Sequence, residues 1–216
     1  NKELEPPFIC LVVSGGHTHL VVVNDYGDYK VIGRTRDDAA GEAFDKVAKF
    51  YDLGFPGGVV IDRLSKTGDP NAFLFPGPSL DRKEHPYDMS YSGLKTAVIN
   101  QKDQFRNGDS PDTPENIAAS FQRQAVGILM KRVKLALKDT GLRRVSAGGG
   151  VAANSLLRSE LKSLEKSGYT VTFPSLKLCT DNGAMIAGLA YRYLLDGKYD
   201  LDSLTASARV SAFKKN

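Results

Sequence analysis

Two apolar runs, Phe8-Ile-Cys-Leu-Val-Val13 and Leu20-Val-Val-Val23, flank Ser14-Gly15-Gly16-His17-Thr18. β-Branched runs joined over so short a glycine pair predict a hairpin, and the rest of the chain has to be laid against its two strands. The glycines permit positive φ and let a ligand come close to the backbone. Amide groups bared at such a turn form a concavity suited to an anion. A lone Ser-Gly-Gly is equally an ordinary turn, so its meaning depends on what else the chain carries.

A turn cluster at Asn24–Asp28 leads into a third strand, predicted over Tyr29 to Arg36. From Asp37 the period changes, with Ala40, Phe44, Val47, Ala48 and Tyr51 at helical spacing and Asp37 or Asp38 as N-cap. Gly54-Phe-Pro-Gly-Gly58 stops that helix, and a short second one follows over Val59 to Ser65. Residues 67–90, rich in Pro, Gly and charge, read as a loop with a short hairpin around Phe73-Leu-Phe75. A helix restarts at Tyr91 and fades by Phe105. Thr113-Pro-Glu-Asn116 opens a long helix whose apolar stripe runs to Gly141. The pattern then reads strand (Arg143 to Ala147), Gly148-Gly149-Gly150, helix (Ala152 to Glu165), strand (Tyr169 to Phe173) and helix (Asn182 to Leu195). Three antiparallel strands followed by right-handed crossovers give an α/β fold with a mixed five-stranded sheet and helices on its faces. This is the ribonuclease H-like topology of each lobe of the actin-like ATPases (ASKHA), in which the glycine hairpin faces nucleotide phosphates.

Further stretches carry chemistry. Asp45, in Asp37-Asp-Ala-Ala-Gly-Glu-Ala-Phe-Asp-Lys46, either decorates a solvated helix face or accepts hydrogen bonds from ribose hydroxyls. Gly57 and Gly58 open a helix whose free amides suit a ligand, with Asp62 one turn in. A strand running into Gly148–Gly150 places a crevice at a strand's carboxyl end, where open α/β sheets bind ligands. Asn154 beyond it has both donor and acceptor for an adenine edge or ribose. Asp181 either caps the last helix or ligates a metal. His17 and His19 share a strand face and with Asp181 are three candidate metal ligands, although His17 reads better as lining the crevice. There is no HExxH, and neither cysteine has a histidine beside it in sequence, so zinc peptidase and cysteine-nucleophile chemistry have no support.

The chain has 216 residues, 41% hydrophobic and 25% charged, enough for one large domain or two small ones. A net charge of +4 suits a polyanionic partner without demanding one. Cys10 and Cys179 lie in apolar settings and read as buried thiols of a reducing, cytoplasmic compartment. No apolar stretch is long enough to cross a membrane.

Taken in order, Leu11-Val-Val-Ser-Gly-Gly-His-Thr18, Asp37–Lys46, Phe55-Pro-Gly-Gly58, Tyr91-Ser-Gly-Leu-Lys-Thr96, Gly149-Gly-Val-Ala-Ala-Asn-Ser155 and Asp181-Asn-Gly-Ala-Met185 resemble the bacterial TsaD family, the tRNA N6-adenosine threonylcarbamoyltransferases. The resemblance implies an ASKHA fold and transfer of threonylcarbamoyl from threonylcarbamoyl-adenylate to N6 of adenosine 37, in tRNAs reading codons that begin with A, with release of AMP. It places Val12, Val13, Ser14, Gly15 and Gly16 along the adenylate, Asp45, Gly58 and Asp62 on the substrate, Asn154 on its adenosine, and Asp181 on one divalent metal ion, iron or zinc. No general base is implied. Implied partners are tRNA, a TsaB-like paralogue and a TsaE-like P-loop ATPase. The family's N-terminal lobe, with the HxxxH pair that supplies two metal ligands, has no counterpart here, and Ser203–Val210 departs from the family's Asn-Pro-Arg-Ala-Arg-type ending. Residues 1–216 are therefore expected to form a single ASKHA lobe, the second of two, with a helical insertion over about 37–140. It is expected to bind metal poorly, to be inactive or nearly so alone, and to self-associate through an exposed lobe interface. The rival readings are an ATPase or sugar kinase lobe, which would lack the Asp37–Lys46 block, and a TsaB-like scaffold, which would not need Asn154 and Asp181 together.

Overall fold

The computed structural model describes residues 4–78 and 83–197. Residues up to Thr180 form one compact unit, and a second begins at Asp181. The tail from Ser203 to Val210 lies outside the described residues.

In the first unit, β1 (Phe8–Val13), β2 (Thr18–Asp25) and β3 (Asp28–Arg34) form an antiparallel meander, and β4 (Arg144–Gly148) and β5 (Thr170–Thr172) extend it in the order β3-β2-β1-β4-β5. β1 pairs antiparallel with β2 and parallel with β4. The parallel register sets Val12 opposite Gly148, which brings the hairpin turn and the triple glycine to the same end of the sheet. Alternation along β1 buries Ile9, Leu11 and Val13.

Helices α1 (Ala40–Phe50), α2 (Gly57–Leu64), α3 (Ser92–Asn100), α4 (Pro114–Thr140) and α5 (Ser155–Ser163) complete this unit, and α6 (Gly183–Leu195) belongs to the second. α4 starts where Thr113 Oγ1 accepts the Asn116 N–H at 3.2 Å and stops at Gly141, with φ 70°. Its apolar stripe joins β1 and α1 in one core, where Phe44 meets Phe121 edge-on with centroids 5.0 Å apart. Burial of each such ring contributes on the order of 1.5–3 kcal/mol.

Four local expectations are corrected. β3 ends at Arg34, because the Arg34 N–H donates to Asp88 Oδ1 and Thr35 bridges to Met89, drawing the strand end into the 67–90 segment. Phe73 forms no hairpin with its neighbours and bridges to Arg106. α3 ends at Asn100, and Lys102–Phe105 beyond it is a 3-10 turn. The helix expected over Ala152 to Glu165 is a 3-10 turn, Gly150–Ala153, then α5, then a second turn, Leu164–Ser167. The break falls at Asn154, whose side chain caps α5 by accepting the Leu157 N–H.

Candidate functional site

The β1–β2 turn closes with the Ser14 N–H donating to His17 O at 2.8 Å. Ser14 Oγ accepts the N–H groups of Gly16 at 3.3 Å and His17 at 3.1 Å, so two of the turn's amides converge on one oxygen. Contrary to expectation, neither Gly15 nor Gly16 has positive φ. A Cβ on either would meet nothing within 4 Å, so the space beside both is open. Val12 is half-buried; Val13 is wholly buried in the core, so only its backbone can reach a ligand.

The triple glycine divides in two. Gly149 has φ 96° and ψ 166°, and a Cβ there would lie 2.2 Å from Val13 O. It is glycine because β1 and the β4 exit touch. Gly148 and Gly150 face open space, as Gly58 does.

The predicted polar residues are brought together as ties on helix N-termini, whose first amides lack partners within the helix. Thr18 Oγ1 accepts the Ala40 N–H at 2.8 Å and Ser14 O the Gly41 N–H at 3.1 Å, which fixes α1 on the turn. Asp45 Oδ1 accepts the Gly57 N–H at 2.7 Å at the start of α2. Asp62 Oδ1 accepts the N–H of Ser155 at 3.0 Å and its hydroxyl at 2.7 Å. Asn154 Oδ1 caps Leu157 at 3.0 Å while its Nδ2 donates to Gln122 Oε1 at 2.7 Å. Gln122 Nε2 in turn donates to Ser65 Oγ at 2.7 Å, and that hydroxyl donates to Asp62 O at 3.0 Å. Asp45 and Asp62 each retain Oδ2 for a further partner.

A cleft of about 470 Å³ is lined by Gly15, Glu42, Asp45, Lys46, Lys49, Asp52, Gly54 and Phe55. It unites Gly15 and Asp45 of the expected set, whereas Gly58, Asp62 and Asn154 do not line it. The sequence reading missed Lys49 and Phe55 as lining residues and Gln122 as a partner of Asn154. Phe55 stood inside a quoted motif, but Gln122 is 32 residues from Asn154 and carried no signal.

Neither Asp37 nor Asp38 caps α1, whose N-cap is Ala39. Asp37 instead reaches the start of α3. Its Oδ1 accepts the Tyr91 and Ser92 N–H groups at 2.8 and 3.2 Å, and its Oδ2 accepts the Ser90 and Ser92 hydroxyls at 2.5 and 2.7 Å. Asp38 binds Lys46 at 2.7 Å and Lys95 at 2.8 Å. The Asp37–Lys46 and Tyr91–Thr96 motifs are thus halves of one joint. For Asp37, burial raises the carboxyl pKa and the hydrogen bonds from Ser90, Tyr91 and Ser92 outweigh it, so the net shift is downward. Asp38 is lowered likewise, burial being outweighed by hydrogen bonds from Lys46 and Lys95 and by their charge. A depressed folded pKa contributes stability above the unfolded value near 3.8 that is lost as pH falls through the folded value. Urea midpoints should therefore fall as pH drops below about 4, and Asp37→Asn should flatten that dependence.

Asp181 does not cap α6; Asn182 does, accepting the Met185 N–H at 3.2 Å. His17 and His19 lie with ring centroids 5.5 Å apart. Burial, the nearby His17 and Arg34 lower the His19 pKa, which favours a neutral ring. Among the described residues no three His, Cys, Asp or Glu side chains group to hold a metal ion, so these residues do not by themselves fit a complete metal site. Burial pushes the Cys10 thiol up to about 11, which keeps it protonated and unreactive. No described helix is long and apolar enough to cross a membrane.

Comparison with known proteins bears on this geometry. Full-length HypF, in its phosphate- and nucleotide-bound form, superposes with a TM-score of 0.70 at 16% identity over 92% of this chain and 41% of that one. Component A of (R)-2-hydroxyglutaryl-CoA dehydratase from Acidaminococcus fermentans follows at 0.50 and 18%, over 84% of this chain and 60% of that one. Both likenesses concern the fold alone, which is the actin-like ATPase fold expected from the strand order. In sequence, a tRNA N6-adenosine threonylcarbamoyltransferase of Treponema denticola is 58% identical over 99% of this chain and 63% of its own length. The protein of that name from Borreliella afzelii is 48% identical over 99% of this chain and 61% of its own. The chain thus spans a little over three fifths of the length of these relatives. The family model described as TsaD, tRNA N6-adenosine threonylcarbamoyltransferase, matches residues 1–188, and the chain belongs to that family.

Proposed function

We propose that this chain holds the adenylate in a tRNA N6-adenosine threonylcarbamoyltransferase. The observation that carries the reading is the meeting of the Ser14–Gly16 turn and the Gly148–Gly150 turn at one end of the sheet, in a chain of this family. The turn's amides already converge on Ser14 Oγ, the arrangement a phosphate oxygen would accept. Nucleotide binding by the HypF neighbour supports the same use of this fold.

In the reaction, N6 of adenosine 37 attacks the carbonyl carbon of the carbamoyl–phosphate anhydride. The C–N bond forms, the bond from that carbon to the phosphate oxygen breaks, AMP leaves with the electron pair, and water takes the proton lost by N6. The anhydride is already activated, so the protein's work is positioning and stabilising charge on the leaving phosphate. Ser14, Gly15 and Gly16 would serve the phosphate, together with the backbone of Val12 and Val13. Gly58 gives close approach, Asp45 and Asp62 offer Oδ2 to ribose hydroxyls, and Asn154 adjoins the adenosine. Family membership supports tRNA as acceptor, a paralogue and a P-loop ATPase as partners, a cytoplasmic setting, and a divalent metal to which Asp181 would contribute one ligand. Among the described residues no group of His, Cys, Asp or Glu side chains completes a site for that metal. We read the chain as one lobe with a helical insertion over about 37–140.

Calorimetric titration of AMP tests this. The chain is expected to bind AMP at one site. Gly16→Val fills space that nothing else in the protein occupies, so it should weaken binding at least about tenfold while moving the melting temperature by less than about 3 °C. A folded chain that binds no AMP would favour the scaffold reading.

A further inference from the structure

We infer that Phe55 is a stacking platform for an adenine base at the rim of the cleft, an inference that rests on the adenylate and tRNA reading above. Phenylalanine is ordinarily among the most buried residue types, yet Phe55 is 82% exposed. The segment that carries it is tied down on both sides. The Leu53 N–H donates to Ala48 O at 2.9 Å, and the Leu53 side chain packs against the core. Two residues beyond Phe55, Gly57 donates to Asp45 Oδ1 at 2.7 Å, and a Cβ on it would lie 2.6 Å from Phe44 O, so α2 starts in one place only. The backbone is fixed and the ring is left outside.

The rest of the cleft matches a nucleotide. Lys46 is engaged by Asp38 and Glu42, whereas Lys49 is exposed with no partner among the described residues. An aromatic face beside a free ammonium takes a base on the one and a phosphate on the other. The carboxylates of Glu42, Asp45 and Asp52 in the same cleft disfavour a polyphosphate and suit a base whose exocyclic amine donates. Adenine has that amine. Two adenines come to this site, the adenylate's and that of adenosine 37, and they share the chemistry Phe55 offers.

The chain contains no tryptophan, so Phe55→Trp introduces a single fluorophore at the rim. It is titrated with AMP, with a short anticodon stem-loop carrying adenosine at position 37, and with the same stem-loop abasic there. Quenching by AMP assigns the platform to the adenylate. Quenching by the adenosine stem-loop and not by the abasic one assigns it to the acceptor base. In either case Phe55→Ala should weaken the quenching ligand about tenfold or more, and Phe55→Tyr should restore it. Quenching by none of the three, or equal quenching by both stem-loops without quenching by AMP, overturns the inference. Calorimetry of the unsubstituted chain with AMP reports separately on the adenylate reading, so the two fail in distinguishable ways.

Discussion

Gly149→Ala is expected to destabilise the chain by about 4 kcal/mol, the largest effect of any single substitution considered. Two costs add. The backbone at φ 96° and ψ 166° lies in a region open essentially to glycine alone, which costs any other residue about 1–3 kcal/mol. The new methyl would also lie 2.2 Å from Val13 O, and relieving that overlap must separate β1 from the exit of β4, at about another 1–3 kcal/mol. In a chain of this size the melting temperature should fall by about 8–16 °C. Gly148→Ala and Gly150→Ala meet no atom within 4 Å and should each stay within about 1 kcal/mol of the unsubstituted chain. Urea unfolding of the three variants decides the matter. Equal stabilities would mean that β1 and β4 do not close on one another as described.

The second large effect is that of Asn154→Ala, expected at about 3 kcal/mol. The substitution removes the cap on Leu157, worth about 1 kcal/mol, and strands Gln122 Oε1, which costs about 1–3 kcal/mol when left unpaired in the interior. Gln122 is 3% exposed, so water does not readily replace the lost donor. Asn154→Asp keeps an acceptor for Leu157 and sets a carboxylate against Gln122 Oε1, so it should lose the second contribution and retain the first. A double-mutant cycle with Gln122→Ala should return a coupling of about 1 kcal/mol or more. Additive losses would show that the two side chains do not share the bond. Loss of AMP binding in Asn154→Ala therefore has to be compared with its loss of stability before it is assigned to ligand contact.

These two positions show what the sequence does and does not disclose. The strand order was legible because the change from period two to period 3.6 at Asp37 and the later strand–helix alternation admit few topologies. The glycine segments were legible as a group, but their individual reasons were not. Gly149 answers to Val13 O across a strand pair, Gly57 to Phe44 O on another helix, and Gly16 to no atom at all. Local spacing carries no trace of such distant neighbours. The cap expected for α1 failed for the same reason, whereas Thr113 and Gly141 bound α4 as the sequence suggested. Asp37 and Asp38 had the right residue type and position to cap α1, but tertiary contacts took them to α3, Lys46 and Lys95. The helix expected over Ala152 to Glu165 ignored that Asn154, read as a ligand-binding residue, is itself a cap. Asp45, Asp62 and Asn154 were singled out in the sequence as substrate contacts. Their visible work is to fix two helix starts, those of α2 and α5, around the end of the sheet, and this places the open glycines and the cleft.

The central claim is that the glycine turns at the end of β1 and β4 receive the adenylate. Amide spectra of the ¹⁵N-labelled chain, recorded with and without AMP, test it most directly, because glycine amides resolve well. We expect the signals of Gly15, Gly16, Gly58 and Gly148 to move on addition of AMP, and those of Gly108, in the turn closed by Asn107 and Ser110, and Gly127, within α4, to stay in place. A spectrum in which the four site glycines do not move, or in which AMP perturbs only residues elsewhere, would contradict the account.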